Sequence, residues 1–130
     1  AVEISIQCLV HLICNQNNVV RIISILANAL DNAIEAAANA DGEKRVDLVI
    51  SGDNKNYIFD VTNTFQAGIN FAQGVNVDGF TTKLTGKGGQ GIAIMSRGVD
   101  YLKGTMNYSI SDGFCHLHIE SPKSILEGTR

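Results

Sequence analysis

Two hydrophobic rhythms divide the chain. Residues 2–7 (VEISIQ), 46–51 (VDLVIS), 57–63 (YIFDVTN), 105–110 (TMNYSI) and 114–120 (FCHLHIE) place apolar side chains at alternate positions, the period of a half-buried strand. Residues 19–38 and 90–102 follow a helical period. In 90–102, Ile92, Met95, Val99 and Leu102 form the apolar line, Gly98 weakens the helix and Gly104 falls just past its end. In 19–38, Val19, Leu26, Leu30, Ala33 and Ala37 are expected to form the buried side, with Ile23 and Ile34 at its margin. CNQNN (14–18) can cap this helix, and Asn39 and Asp41-Gly42 end it. GDNKN (52–56) and Ser111-Asp112-Gly113 are turn sequences that make hairpins of the strands they join. Residues 64–91 follow neither rhythm and are rich in glycine, with a short helix expected near 69–74; a loop of this length is usually functional or disordered. The tail from Ser121 is polar, holds the single proline and is expected to fray. The order β-α-β-β-loop-α-β-β predicts an α+β fold. Its two layers would be a mixed, mostly antiparallel sheet with the helices on one face.

The helix 19–38 carries an unusual front. Asn28, Asn32 and Glu35, spaced i, i+4, i+7, share one narrow face, flanked by Asp31, Arg21 and Ser24. Asparagine costs up to about 0.7 kcal/mol relative to alanine inside a helix, so a merely solvated face is better served by Lys, Glu, Gln or Arg. Carboxamide and carboxylate oxygens are hard donors that suit Mg²⁺, which keeps several waters and binds substrate phosphates.

GKGGQG (86–91) runs into the second helix. Successive glycines let backbone N–H groups approach an anion, and the helix N-terminus adds its dipole. Lys83 can add positive charge here, and Thr81 and Thr82 hydroxyl donors. The pattern is neither a Walker A loop, since no GK[ST] follows, nor a dinucleotide fingerprint, since no strand leads into it. By itself it is equally compatible with a plain surface loop.

Composition narrows the choices. The 130 residues form one domain large enough for a real core. Ten Lys and Arg against 13 Asp and Glu, without a basic run, argue against nucleic-acid binding. No apolar run approaches the roughly 20 residues of a membrane span. The start at Ala1 is expected to mark a fragment of a longer chain. Cys8, Cys14 and Cys115 form no CxxC pair and are expected to be reduced and buried; without an evident histidine partner they are poor nucleophile candidates. His116 and His118 alternate on one strand and supply two potential metal ligands, short of a site; His11 sits near a strand end. Tyr57, Tyr101 and the phenylalanines are expected in the core.

These elements together resemble the ATP-binding catalytic domain of sensor histidine kinases, in the superfamily that also holds gyrase, Hsp90 and MutL. The resemblance covers about Val2 to Glu120. NALDNAIEA (28–36) is similar to that family's N box, and in particular to kinases that sense peptides or small carboxylates. Asn63, in FDVTNTF, stands where the G1 box usually has Asp; the spaced glycines that normally follow are replaced by Phe65 and Ala67, with Gly68 nearby. GFTTK (79–83) resembles the phenylalanine box and lid, and GGQGIAIM (88–95) the G2 box, with Gln90 and Ala93 departing from the usual residues.

The resemblance implies a Bergerat-type fold that binds ATP and Mg²⁺. It implies that Asn32 ligates Mg²⁺ and contacts phosphate oxygens. Asn28 would support the phosphates with Asp31 and Glu35 as neighbours, and Asn63 would accept from the adenine amino group. Thr82, Lys83, Gly88, Gly89 and Gly91 would complete the nucleotide site. Hydrolytic members carry Glu at the place of Asn28; an asparagine cannot act as general base, so slow hydrolysis is expected. The γ-phosphate would go to a histidine on a separate dimerisation domain and then to a response regulator, in the cytoplasmic part of a membrane-bound bacterial sensor. Two other readings share the fold: a degenerate nucleotide-binding or interaction module, and an anti-sigma-type protein-serine kinase.

Overall fold

A computed structural model describes residues 1–66 and 90–128. The helix expected near 69–74 therefore lies outside the described residues. Five strands, β1 (Glu3–Cys8), β2 (Arg45–Gly52), β3 (Asn56–Thr64), β4 (Thr105–Ser111) and β5 (Phe114–Pro122), form one sheet in the order β1-β2-β3-β5-β4. Among the described residues three helices accompany it: α1 (Gln16–Ala38), α2 (Gln90–Tyr101) and the short α3 (Lys123–Glu127). β1 pairs parallel to β2, with the long α1 as their crossover, whereas the other three pairings are antiparallel. The mixed, mostly antiparallel sheet expected from the strand order is present.

Both hairpins owe their register to turn chemistry. Asp53 Oδ1 accepts from the N–H groups of Lys55 and Asn56 at 2.9 and 2.8 Å, closing the β2–β3 turn. The Asn56 and then the Lys55 amide bonds hold the Asp53 carboxyl below its ordinary range. In the β4–β5 turn, Asp112 and Gly113 have φ of 53° and 82°, the paired left-handed conformation that a two-residue hairpin demands.

The sheet buries one face. Val46, Leu48 and Ile50 on β2, Tyr57, Phe59 and Val61 on β3, and Cys115, Leu117 and Ile119 on β5 pack against α1 and the Ile92, Met95, Val99 and Leu102 line of α2. The alternation along these strands delivers this directly. β1 lies at the edge and is exposed throughout, including Ile4 and Ile6.

The buried side of α1 departs from expectation. Its contact stripe is Ile22, Ile25, Ala29, Ala33, Ala36 and Ala37, while Leu26, Leu30 and Ile34 are half-buried and Val19 and Ile23 are exposed. The buried arc thus borders the asparagine line instead of lying opposite it; Ile25 and Asn32, seven residues apart, differ by only about 20° around the helix. The reason is that α1 is wedged between the sheet and α2, so two surfaces, and not the apolar count alone, select its buried arc. Gly98 makes that wedge possible. A Cβ there would stand 3.0 Å from Ile25 Cγ1 and 3.1 Å from Ile25 Cδ1, so the bare backbone of α2 lets α1 approach.

α1 also begins earlier than its apolar pattern, at Gln16, because the Asn15 side chain accepts from the Asn18 N–H at 3.0 Å as N-cap. Nor does the tail fray. β5 runs to Pro122, Ser121 is buried, and α3 docks under the start of α1. Asn18 Nδ2 donates to the carbonyls of Ile125 and Leu126, the Asn15 N–H donates to the Leu126 carbonyl, and the Tyr57 hydroxyl donates to Glu127 at 2.9 Å. Polar side chains, which read as surface in the sequence, are what fasten this segment. Leu126 beneath them is fully buried. Leu126→Ala is expected to lower the unfolding free energy by about 2–5 kcal/mol, the usual range for an emptied core leucine, as measured by urea denaturation.

Candidate functional site

The asparagine face of α1 meets the first turn of α2. A Cβ on Gly91 would lie 3.3 Å from Asn28 Oδ1, 3.6 Å from Asn32 Oδ1 and 3.8 Å from Asn32 Nδ2. Asn28 and Asn32 thus converge with Gly91, far away in sequence, where α2 begins. The first N–H groups of a helix have no intrahelical acceptor, so this point offers donors and the positive end of the dipole. Asn28 is held in place by donating from Nδ2 to the Ser24 carbonyl at 2.9 Å, which leaves its oxygen to face Gly91. Asn32 Nδ2 is buried and, apart from its interaction with the Tyr108 hydroxyl, makes no well-formed hydrogen bond among the described residues. A buried donor of this kind is costly unless something accepts from it.

Beneath the asparagines lies the floor of the sheet. Tyr108 on β4 turns toward the helix layer, and its hydroxyl interacts with the Asn32 side chain. Burial pushes the Tyr108 hydroxyl well above the ordinary phenol range, with the Asn32 interaction working the other way, so it stays protonated. Tyr108 was missed in the sequence; the only signal is its place in the inward alternation with Met106 and Ile110. Cys115 lies next to it, and burial pushes its thiol up to about 12. Asn63 pairs with Cys115 across the β3–β5 ladder, is buried, and donates from Nδ2 to the Thr64 carbonyl at 2.8 Å. Its carboxamide oxygen remains oriented by that bond as an acceptor.

The remaining candidates are placed differently. Asp31 is exposed on α1 and Glu35 half-buried one turn on. Thr82, Lys83, Gly88 and Gly89 lie outside the described residues. Tyr101, expected in the core, is exposed instead, and the Arg21 guanidinium stacks 3.4 Å over its ring, at one side of a groove of about 540 Å³ between α1 and α2. Of the cysteines, all free, Cys8 is exposed and Cys14 half-buried, against the expectation that all three are buried. The histidines 116 and 118 project from the opposite face of the sheet.

The donor set fits a hard cation held with a polyanion. Two carboxamide oxygens, a buried amide donor and a helix N-terminus stripped of a side chain at Gly91 offer ligands of both kinds at one point.

Comparison with known proteins bears on the family and the fold. The family model described as "GHKL domain" matches residues 17–122, most of the chain. The chain belongs to the GHKL domain family. Its sheet, with helices on one face, is the family's ATP-binding Bergerat fold. No curated protein matches the sequence. Among solved structures, the nucleotide-free catalytic domain of histidine kinase ThkA superposes with a TM-score of 0.69 at 20% identity, over 94% of this chain and 78% of that one. The blue-light activated histidine kinase EL346 of Erythrobacter litoralis gives 0.73 at 18% identity, covering 98% of this chain but 36% of that one. Full-length ShkA in complex with AMPPNP gives 0.68 at 22% identity, covering 94% and 26%. The GHKL chain therefore matches histidine kinase catalytic domains in fold and spans only a part of the longer kinases. No helix among its described residues is long and apolar enough to cross a membrane.

The thiols give a direct test of this layering. Iodoacetamide at mildly alkaline pH is expected to label Cys8 in the native protein and to reach Cys115 only after unfolding, as read by peptide mass spectrometry.

Proposed function

We propose that this GHKL domain binds Mg-ATP between the asparagine face of α1 and the segment 64–91, and donates the γ-phosphate to a histidine on a separate dimerisation domain. The observation that carries the reading is the convergence of Asn28, Asn32 and the side-chain-free Gly91 at the start of α2. In this reading Asn32 supplies its oxygen to Mg²⁺ and its buried amide donor to a phosphate oxygen. Asn28, fixed through Ser24, steadies the same phosphates, with Asp31 and Glu35 alongside. Asn63 accepts from the adenine amino group. Thr82, Lys83, Gly88 and Gly89 belong to the same site on the strength of their motifs. When bound, Mg²⁺ neutralises charge that develops during phosphoryl transfer; the chain's own task is to position and shield.

Two features favour transfer over hydrolysis. Asn28 cannot take a proton from water, and Tyr108, kept protonated by burial, is no base either. The acceptor is also external to the site. His116 and His118 occupy the far face of the sheet, and His11 follows β1 at the surface. A dimerisation domain bearing the phosphoacceptor, a response regulator downstream and a cytoplasmic location complete the proposal. The ShkA structure, which holds AMPPNP, supports the nucleotide part of it.

Calorimetric titration of the chain with AMPPNP, with and without Mg²⁺, tests the site. Saturable binding that is strengthened by Mg²⁺ and weakened about tenfold or more by Asn32→Ala, equivalent to about 1.4 kcal/mol, is the expected result. Unchanged affinity in Asn32→Ala would remove that residue from the site. Gly91→Ala separates site from scaffold: the added methyl crowds Asn28 and Asn32. It is expected to cost nucleotide affinity about tenfold while shifting the urea midpoint little.

A further inference from the structure

The outer face of the sheet, away from the helices, gathers a second set of chemistry. In the β3–β5 ladder Asp60 stands directly opposite His118, and His116 lies diagonally across, two residues along β5 on the same face. Asp60 Oδ1 is 2.9 Å from His116 Nε2 and 2.6 Å from His118 Nδ1. One ligand atom from each of the three residues falls within a 4.8 Å span. The other ring nitrogen of His118, Nε2, is 2.8 Å from Glu120 Oε2. All four side chains are partly exposed, between 26% and 39%, so an ion can reach them from solvent without unfolding the sheet.

We infer that Asp60, His116 and His118 form a binding site for a divalent transition-metal ion of the zinc class, independent of the nucleotide site. Two imidazole nitrogens and one carboxylate oxygen are a ligand set that suits Zn²⁺ and leaves a position open for water. Ligands about 2.0–2.2 Å from a tetrahedral ion sit about 3.4 Å apart, so the two histidine nitrogens need to move away from Asp60 by less than about 1 Å and toward each other from within their 4.8 Å span. Rotation of surface side chains on a fixed ladder supplies that. Glu120 takes the place of the carboxylate that commonly holds a ligating histidine from behind: by accepting from His118 Nε2 it presents Nδ1 to the ion. Mg²⁺ prefers all-oxygen ligands and is disfavoured here, which separates this site from Asn28 and Asn32 on the other face. The consequence of occupancy is mechanical. A bound ion cross-links the central strand β3 to its neighbour β5, whose inner faces carry Asn63 and Cys115.

The test is titration of the chain with ZnCl₂ at neutral pH in millimolar Mg²⁺, followed by calorimetry and by the thermal unfolding midpoint. One equivalent of bound zinc and a raised midpoint are expected. His116→Ala and His118→Ala should each weaken binding by about a hundredfold, and Glu120→Gln by about tenfold, with circular dichroism reporting that each variant is folded. Co²⁺ loaded into the unaltered chain provides a readout that needs no variant: imidazole and carboxylate ligands give d–d bands without thiolate charge transfer. Absence of zinc binding at submillimolar concentration would overturn the inference. So would thiolate charge transfer with Co²⁺, or zinc binding that survives His116→Ala and His118→Ala but is lost in the Cys8→Ser, Cys14→Ser double variant.

Discussion

The close approach of α1 and α2 is the constraint on which the rest of the structure turns. Two glycines on α2, Gly91 and Gly98, are seven residues apart and so fall on one face, about two turns from each other. One meets Asn28 and Asn32, the other Ile25. Side chains at a helix contact set the distance between axes. Removing them at these two points brings the start of α2, whose first N–H groups have no intrahelical acceptor, directly against the α1 carboxamides. A wider crossing would leave the asparagines as a wet surface and the helix N-terminus as a surface feature. The packing at Gly98 and the chemistry at Gly91 are therefore two ends of one contact.

The sheet beneath supplies a floor with two unlike faces. Its inner face runs from apolar strands into Asn63, Cys115 and Tyr108, where burial suppresses ionisation and leaves hydrogen bonding as the available chemistry. Its outer face holds Asp60, His116, His118 and Glu120 in mutual contact. The same two strands carry both sets, because alternate residues on β3 and β5 point to opposite sides. Imidazoles are thus kept away from the asparagine site by the pleat itself. In a GHKL domain so arranged, the proposed nucleotide site has no histidine beside it.

Much of this was legible in the chain. Strict alternation gave all five strands, and the turn sequences at 52–56 and 111–113 gave both hairpins, because period and turn chemistry are local properties. The line Ile92, Met95, Val99, Leu102 gave the buried side of α2, which packs mainly in one direction. NALDNAIEA marked the candidate face because two asparagines one turn apart are out of place on an ordinary solvated helix. The likeness of that stretch to the N box pointed to the GHKL family, which the match over residues 17–122 shows.

What the sequence could not decide depends on partners brought together by the fold. The buried arc of α1 was misplaced because the helix faces two surfaces, and small residues such as Ala29 and Ala36 carry that contact more than the larger Val19 and Ile23 do. The C-terminal segment looked like a loose polar tail because its anchors, Asn15, Asn18 and Tyr57, lie up to about a hundred residues earlier and their bonds form only on docking. His116 and His118 amounted to two ligands until the β3–β5 register set Asp60 opposite them. Tyr108 was one more inward strand residue until α1 placed Asn32 above it. Local periodicity and residue chemistry determined the elements and marked the asparagine face; close approach between distant segments, which only tertiary packing creates, decided which of those residues work together.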